Sequence, residues 1–167
     1  MDKMERLLLL SNFDERGIKT MTHFGLTNCI AQSQAEVLRA ELDKRQYTVL
    51  ELHGEFVYDK ISFLRQAATD LPQPPDLISR DNWDAFADSL WWGLAALDGT
   101  KFAIIWTNAQ NILRSGLGDL LIALSCFTDI ANSIRNAEHG FPRPSEVIVF
   151  LLGDGPNFPI LNLQLNA

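Results

Sequence analysis

Two almost unbroken apolar segments constrain the fold of this chain more than any other feature of its sequence. Lys101–Trp106 and Glu146–Leu152 are apolar from their second residue to their last. Segments this short and this apolar predict strands that are covered on both faces, as the strands of a parallel sheet usually are. Because amphipathic segments separate the predicted strands, the sequence predicts an α/β fold in which helices pack on a small, mainly parallel sheet.

The other regular segments of the main part of the chain fit this arrangement. Gln32–Lys44, Asp59–Leu71 and Leu117–Arg135 predict helices, because apolar residues recur in them at helical spacing. Tyr47–His53 alternates and is rich in β-forming residues, which predicts a further strand.

The N-terminal part is less regular. Residues 5–11 predict a short buried strand. Residues 12–27 have no clear period and contain two glycines, so they predict a loop, with a second strand around Thr20–Phe24.

The same pattern predicts how the chain is divided. Its 167 residues are enough for one substantial core. The first 46 residues are too few for an independent domain, so residues 1–46 are predicted to be an extension packed on a main domain of residues 47–152. Residues 153–167 contain two prolines and are predicted to be a tail over the surface.

One more amphipathic helix is predicted to begin near Asp81. Asp81 is suited to be its N-cap, and Asp84 stands three residues later in a shortened capping box. At helical spacing one side gathers the apolar side chains. They are Trp83, Ala87, Leu90, Leu94 and Leu97, with Phe86 at the edge.

Three carboxylates and two indoles gather on the other side of this helix. Helix capping and the helix dipole are sufficient to explain Asp81 and Asp84. Asp88 lies beyond the first turn, four residues from Asp84, a spacing that costs about 0.2–0.5 kcal/mol. Trp91 and Trp92 cannot both face the core, so at least one is predicted to lie at a surface or to cover a neighbouring element. Acidic and aromatic residues together favour a partner-binding face, and a solvated face is the alternative.

The charge of the chain is unevenly distributed and narrows the class of partner. The formal net charge is −7. Residues 1–46 hold seven basic and seven acidic side chains, whereas residues 47–167 hold seven basic and fourteen acidic ones. This excess argues against a nucleic acid partner. It favours a basic protein partner, although solubility alone is an alternative explanation.

The remaining sequence signals do not favour an enzyme, a metalloprotein or a membrane protein. The glycines at Gly116 and Gly118 open a helix but lack the third glycine of a dinucleotide site, so no cofactor is expected. The two cysteines and three histidines have no metal-ligand spacing. The cysteines are typical of a reducing compartment, and no apolar run approaches about 18 residues, so a cytoplasmic location without a membrane span is expected.

From Tyr47 to about Leu152 the chain resembles the barstar family, the intracellular protein inhibitors of a secreted bacterial ribonuclease. Asn82-Trp83-Asp84-Ala85-Phe86 is the specific part of the resemblance. The strand and turn at Leu50–Gly54, the strand at Ile104–Trp106 and the order of the helices agree with it.

The resemblance implies a barstar-like fold, with a three-stranded parallel sheet and packed helices, to which this chain adds an N-terminal strand and helix. It also implies that Asp84 and Asp88 enter a nuclease active site, where they take the place of substrate phosphate. An acid on the next long helix contributes in the family, and its nearest match here is Asp129. Carboxylates suit this role because a nuclease site is basic.

These observations together predict an inhibitor or immunity protein, an antitoxin that occludes the basic active site of a toxin such as a ribonuclease. The predicted partner-binding residues are Asp81, Asn82, Asp84, Asp88, Trp91, Trp92 and Asp129. The alternative is a non-catalytic regulatory module with a non-nuclease partner. The loop Leu77–Asp81 favours this alternative, because it lacks the aromatic residue and the glycine usual in the family and contains Arg80. A small enzyme that uses Asp84 and Asp88 as an acid–base pair is a third possibility, which lacks any other catalytic group in the sequence.

Overall fold

The structure is a computed structural model that describes residues 11–13, 19–21, 27–75 and 81–158. Apart from Ser11, the strand predicted at residues 5–11 lies outside these residues. Part of the second predicted strand and most of the predicted tail also lie outside them. The described strands are β1 (Ser11–Phe13), β2 (Lys19–Met21), β3 (Thr27–Ala31), β4 (Thr48–His53), β5 (Lys101–Thr107) and β6 (Glu146–Gly153). The described α-helices are α1 (Ala35–Lys44), α2 (Lys60–Asp70), α3 (Trp83–Ala96), α4 (Gln110–Ser115) and α5 (Leu117–Arg135).

Four of these strands form a parallel sheet in the order β3-β6-β5-β4, so the fold is α/β with a parallel sheet, as predicted. The sheet has four strands instead of the predicted three. The additional strand, β3, was not predicted: only Thr27 falls in the predicted loop, and the sequence assigned no element to residues 28–31. It pairs with the edge of β6 from Thr27 opposite Val149 onward. Asn28 also donates a hydrogen bond from Nδ2 to the backbone oxygen of Val149 at 3.3 Å. Separately, β1 and β2 form an antiparallel pair.

Helices cover both faces of the parallel sheet. On one face, α2, α3 and α5 enclose the larger core, which contains Phe63, Phe86, Trp106 and Phe127. On the other face, Leu38 and Leu42 of α1 pack in a second cluster with apolar residues of β5 and β6. After their first residues, β5 and β6 are buried along their whole lengths, which confirms that they are covered on both faces.

The start and the rotation of α3 differ from the prediction. Its N-cap is Asn82 and not Asp81: Asn82 Oδ1 accepts hydrogen bonds from the backbone N–H of Asp84 at 2.9 Å and of Ala85 at 3.4 Å. Phe86 is fully buried, whereas Trp83 is only partly buried. The helix is rotated in this way because the ring of Phe86 fits edge-on between two other aromatic rings.

These rings form the aromatic cluster at the centre of the larger core. The ring centroid of Phe86 lies 5.2 Å from that of Phe63 on α2 and 5.9 Å from that of Phe127 on α5, both in edge-to-face geometry. The Phe63 ring also lies 5.0 Å from the Trp106 ring of β5. The cluster therefore joins three helices to the sheet.

The helix α5 has the predicted bounds, whereas the short α4 was not predicted. By length and mean hydropathy (1.4), α5 is the one described helix that is long and apolar enough to cross a membrane. Its inner face nevertheless lies in the core through residues such as Leu120, Phe127 and Ile134.

A substitution on α1 tests whether this helix is part of the core. Leu42 is fully buried against the sheet, so Leu42→Ala is expected to lower the free energy of unfolding by about 2–5 kcal/mol. Val37 on the same helix is 43% exposed, so Val37→Ala should change it by less than about 0.5 kcal/mol. Denaturant unfolding measures both. Equal midpoints for the two variants would contradict the packing of α1.

A second pair of substitutions tests the rotation of α3. Phe86→Ala removes a fully buried ring and should cost about 3–5 kcal/mol. Trp83→Ala should cost less, because Trp83 is partly exposed, although its ring lies 5.3 Å from that of Phe63. A larger loss for Trp83→Ala in denaturant unfolding would mean that the helix is rotated toward Trp83.

Candidate protein-binding face

The outer side of α3 carries a row of exposed side chains. Asp84, Asp88 and Trp92 are spaced at intervals of four residues, so they lie above one another along the helix, and all three are exposed. The Trp92 side chain is 55% exposed. Because Asn82 caps the helix through its side chain, Asp84 is available for contacts other than capping.

Trp91 packs against the Trp92 end of this row. It is half-buried, and its ring lies 5.2 Å from the Phe141 ring in edge-to-face geometry. On its other side its ring lies 5.0 Å from the Trp92 ring, also edge-to-face. As expected, one tryptophan lies at the surface and the other covers a neighbouring element. The contact with Trp91 restricts the Trp92 ring, so less conformational entropy is lost if a partner buries it.

The Cys126 thiol of α5 is affected by carboxylates of two helices, Asp84 on α3 and Asp129 on α5 itself. Burial, followed by the negative charges of Asp129 and Asp84, raises the pKa of this thiol to about 11. Two carboxylates from different helices therefore lie near the same sulfur atom. We name Asp84, Asp88, Cys126 and Asp129 the acidic face. Asp129 itself is exposed, which leaves its charge accessible to a partner.

An open cleft of about 560 Å³ lies at the start of α3, beside the acidic face. Its lining residues are Lys60, Asp81, Asn82, Trp83, Asp84 and Ile122. The cleft brings together three of the predicted site residues, namely Asp81, Asn82 and Asp84. Asp88 and Trp92 continue the surface along α3, and Trp91 packs against Phe141 away from the cleft.

Sequence reasoning missed three residues of the cleft, namely Lys60, Ile122 and Trp83, the last of which was predicted to face the core. The signal for Ile122 was available, since it is an apolar residue at an outward position of an amphipathic helix. Lys60 enters the site through tertiary structure: its backbone N–H donates a hydrogen bond to Asp119 Oδ2 at 2.8 Å, which fixes the start of α2 against the start of α5. Among the residues that the structure describes, no three His, Cys, Asp or Glu side chains are grouped to hold a metal ion.

A family model described as "Barstar (barnase inhibitor)" matches residues 47–142, more than half of the chain. The chain belongs to the barstar family. The matched range contains α2, α3 and α5, and with them every predicted site residue. It leaves β3, α1 and β6 outside, although β3 and β6 are strands of the same sheet. The family is described by inhibition of a ribonuclease and not by catalysis.

The other comparisons do not add a function. No curated protein matches the chain. A chain from "Structure of Drosophila ORC bound to AT-rich DNA and Cdc6" is 16% identical with a TM-score of 0.44, and the match covers 96% of this chain and 47% of that one. A chain from "Structure of Drosophila ORC bound to DNA" is 20% identical with a TM-score of 0.46, over 96% and 78%. This chain thus spans about half the length of the first of these two. Such low similarity carries no conclusion about this barstar-family protein.

The reactivity of Cys126 tests whether Asp84 and Asp129 converge on it. Only the thiolate reacts with an alkylating reagent. Because the pKa is raised, labelling should be slow at pH 8 and should increase as the pH rises toward about 11. Asp129→Asn removes one of the charges that raise this pKa and should accelerate labelling at pH 8. Asp43→Asn on α1 is the control. Peptide mass analysis separates Cys126 from Cys29, and equal rates for both variants would contradict the convergence.

Proposed function

We propose that this barstar-family protein is an inhibitor that binds a basic toxin and occludes its active site, with a secreted ribonuclease as the first candidate. The observation that supports this function is the acidic face, in which exposed carboxylates from α3 and α5 lie near the partly buried Cys126 thiol. Partner binding would involve Asp84, Asp88 and Asp129, with Trp92 as an aromatic anchor. Occlusion requires no cofactor and no turnover.

The electrostatics of a nuclease active site explain why an acidic helix suits it. Such a site holds cationic side chains that bind phosphate. Carboxylates on a rigid helix can take the place of phosphate, because their oxygens also carry negative charge. Complementary charge increases the association rate and excludes acidic competitors, including nucleic acid. The net charge of −7 also favours association with a basic partner. We further propose that the protein acts in the cytoplasm, where an inhibitor would protect the cell that makes the toxin.

We also propose roles for the parts outside the family match. Residues 1–46 would stabilise the second face of the sheet instead of contacting the partner, because α1 lies on the face opposite to α2, α3 and α5. Residues 47–152 would form the inhibitory domain, with residues 153–167 as a tail.

A second function is favoured by the sequence of the loop before α3. Leu77-Ile78-Ser79-Arg80 provides no aromatic ring to stack in a nuclease site, and Arg80 adds a positive charge. A regulatory module that binds a basic protein other than a nuclease would require neither the ring nor the glycine usual in the family. This function and the first one use the same acidic face and differ in the partner.

The charge of Asp88 tests both functions. Asp88→Lys should leave the free energy of unfolding nearly unchanged, or raise it by up to about 0.5 kcal/mol, because the repulsion from Asp84 is relieved. It should weaken binding to a basic partner by about 2–5 kcal/mol, because a paired charge is replaced by its opposite. Calorimetry with barnase, the ribonuclease named in the family description, measures this loss. Asp43→Lys on α1 is the control: it changes the net charge by the same amount and should have little effect on the affinity for barnase.

Further measurements separate the two functions. Inhibition of ribonuclease activity by the parent, with loss of inhibition in Asp88→Lys, supports the inhibitor. If barnase is not bound, a pull-down from the producing organism followed by mass spectrometry identifies the partner. A recovered basic protein without nuclease activity, bound in an Asp88-dependent manner, supports the regulatory module. Equal affinity of the parent and of Asp88→Lys for the recovered partner would remove α3 from the interface.

A further inference from the structure

Exposed apolar side chains are concentrated in one region next to the acidic face. In the part of the chain that the structure describes, eight large hydrophobic side chains are substantially exposed, and six of them belong to two neighbouring segments. These six, which we name the apolar flank, are Phe56, Tyr58 and Ile61, before and in α2, and Leu117, Leu121 and Ile122, in α5. Scattered exposed apolar residues are ordinary, whereas a concentration of them marks an interaction surface.

Hydrogen bonds hold the two segments of the apolar flank side by side. Ser115 Oγ donates to the backbone oxygen of Tyr58 at 2.6 Å. The backbone N–H of Lys60 donates to Asp119 Oδ2 at 2.8 Å. The segments also approach closely at Gly116, where an added Cβ would lie 2.6 Å from the backbone oxygen of Tyr58. The apolar flank is therefore built on two backbone segments in fixed relative positions.

The core does not account for the apolar flank. Up to the middle of α5 the core uses Leu120, Ala123 and Phe127, which are buried. Leu121, by contrast, is 59% exposed, although an outward position on an amphipathic helix is usually polar. An apolar side chain at such a position is not buried when the chain folds, so its burial is expected in a contact with another molecule.

The apolar flank meets the acidic face at the cleft. Ile122 lines the cleft together with Asp84, and so does Lys60, the neighbour of Ile61. A molecule that fills the cleft therefore touches the carboxylates of Asp81 and Asp84 as well as Ile122 of the apolar flank. The two surfaces differ in chemistry but are continuous in space.

We propose that the apolar flank is the second half of the binding site for the partner that the acidic face recognises. The partner is then a basic protein whose cationic site is bordered by an apolar surface. This inference rests on the proposed function and extends it. Charged contacts control the association rate and weaken as salt is added, whereas apolar burial persists at high salt. The apolar flank would thus retain the complex after the charges have guided it.

Two synthetic helical peptides of equal length and equal positive charge test this chemistry. One has a lysine face and a leucine face, and in the other glutamine replaces leucine. Titrated calorimetrically into the full chain, the leucine peptide should bind about tenfold more tightly, a difference of about 1.4 kcal/mol. This advantage should remain when salt is added, while the affinities of both peptides decrease. Equal affinities of the two peptides for the parent would overturn the proposal.

Three variants separate the apolar flank from the acidic face. Leu121→Ser should remove most of the advantage of the leucine peptide without changing binding of the glutamine peptide. Val37→Ser, at a matched exposed position on α1, should change the affinity of neither peptide. Asp88→Lys should weaken the binding of both peptides. Binding that depends on Asp88 but is the same in Leu121→Ser as in Val37→Ser would overturn the role of the apolar flank and leave the proposed function standing. Binding that depends on neither Asp88 nor Leu121 would contradict both.

Sedimentation of the same variants, alone and with lipid vesicles, tests whether a second copy of the chain or a membrane covers the apolar flank instead. A parent that is dimeric and becomes monomeric in Leu121→Ser would mean that a second copy of the chain covers the apolar flank, which would overturn the proposal. Binding of the parent to neutral phosphatidylcholine vesicles that is lost in Leu121→Ser would assign the surface to a membrane and would overturn it as well. A monomeric parent that does not bind vesicles is the expected result.

Discussion

The edge-to-face contacts of the Phe86 ring are the interaction on which the rest of the structure depends. They place α3 between Phe63 of α2 and Phe127 of α5. Aromatic pairs of this kind prefer a narrow range of geometries, so the fit of one ring determines the rotation of the whole helix. That rotation in turn directs Asp84 and Asp88 outward. The recognition chemistry of the surface is therefore a consequence of apolar packing inside the molecule.

The parts of the fold that could be predicted are those whose pattern is strong within a single segment. The strands β5 and β6 are apolar throughout, and the apolar period of α5 is continuous, so their positions follow from local sequence. The strand β3 could not be predicted in this way. Thr27 and Asn28 interrupt its apolar pattern, and it becomes a strand because the open edge of β6 offers partners for its backbone. Strand pairing of this kind is a property of the assembled sheet.

The features of the candidate site can be separated in the same way, into those that follow from a single segment and those that depend on tertiary packing. Helical spacing alone places Asp84 and Asp88 on one side of α3. The choice of Asn82 over Asp81 as N-cap could not be made from sequence, because both residue types cap helices well. The effect of both Asp84 and Asp129 on the Cys126 thiol, and the contribution of Lys60 and Ile122 to the cleft, depend on how separate helices pack. Single-segment patterns contain no information about such distances.

The pairing of β3 with β6 ties the order of synthesis to the completion of the fold. Asn28 and Val149 are 121 positions apart in the chain, so the ribosome makes β3 long before β6, its neighbour in the described sheet. During this interval β4 and β5 are available to pair, but the strand between β5 and β3 is absent. Contacts of such long sequence separation slow folding. A chain that ended before Glu146 would therefore lack β6, the strand that joins β3 to β5.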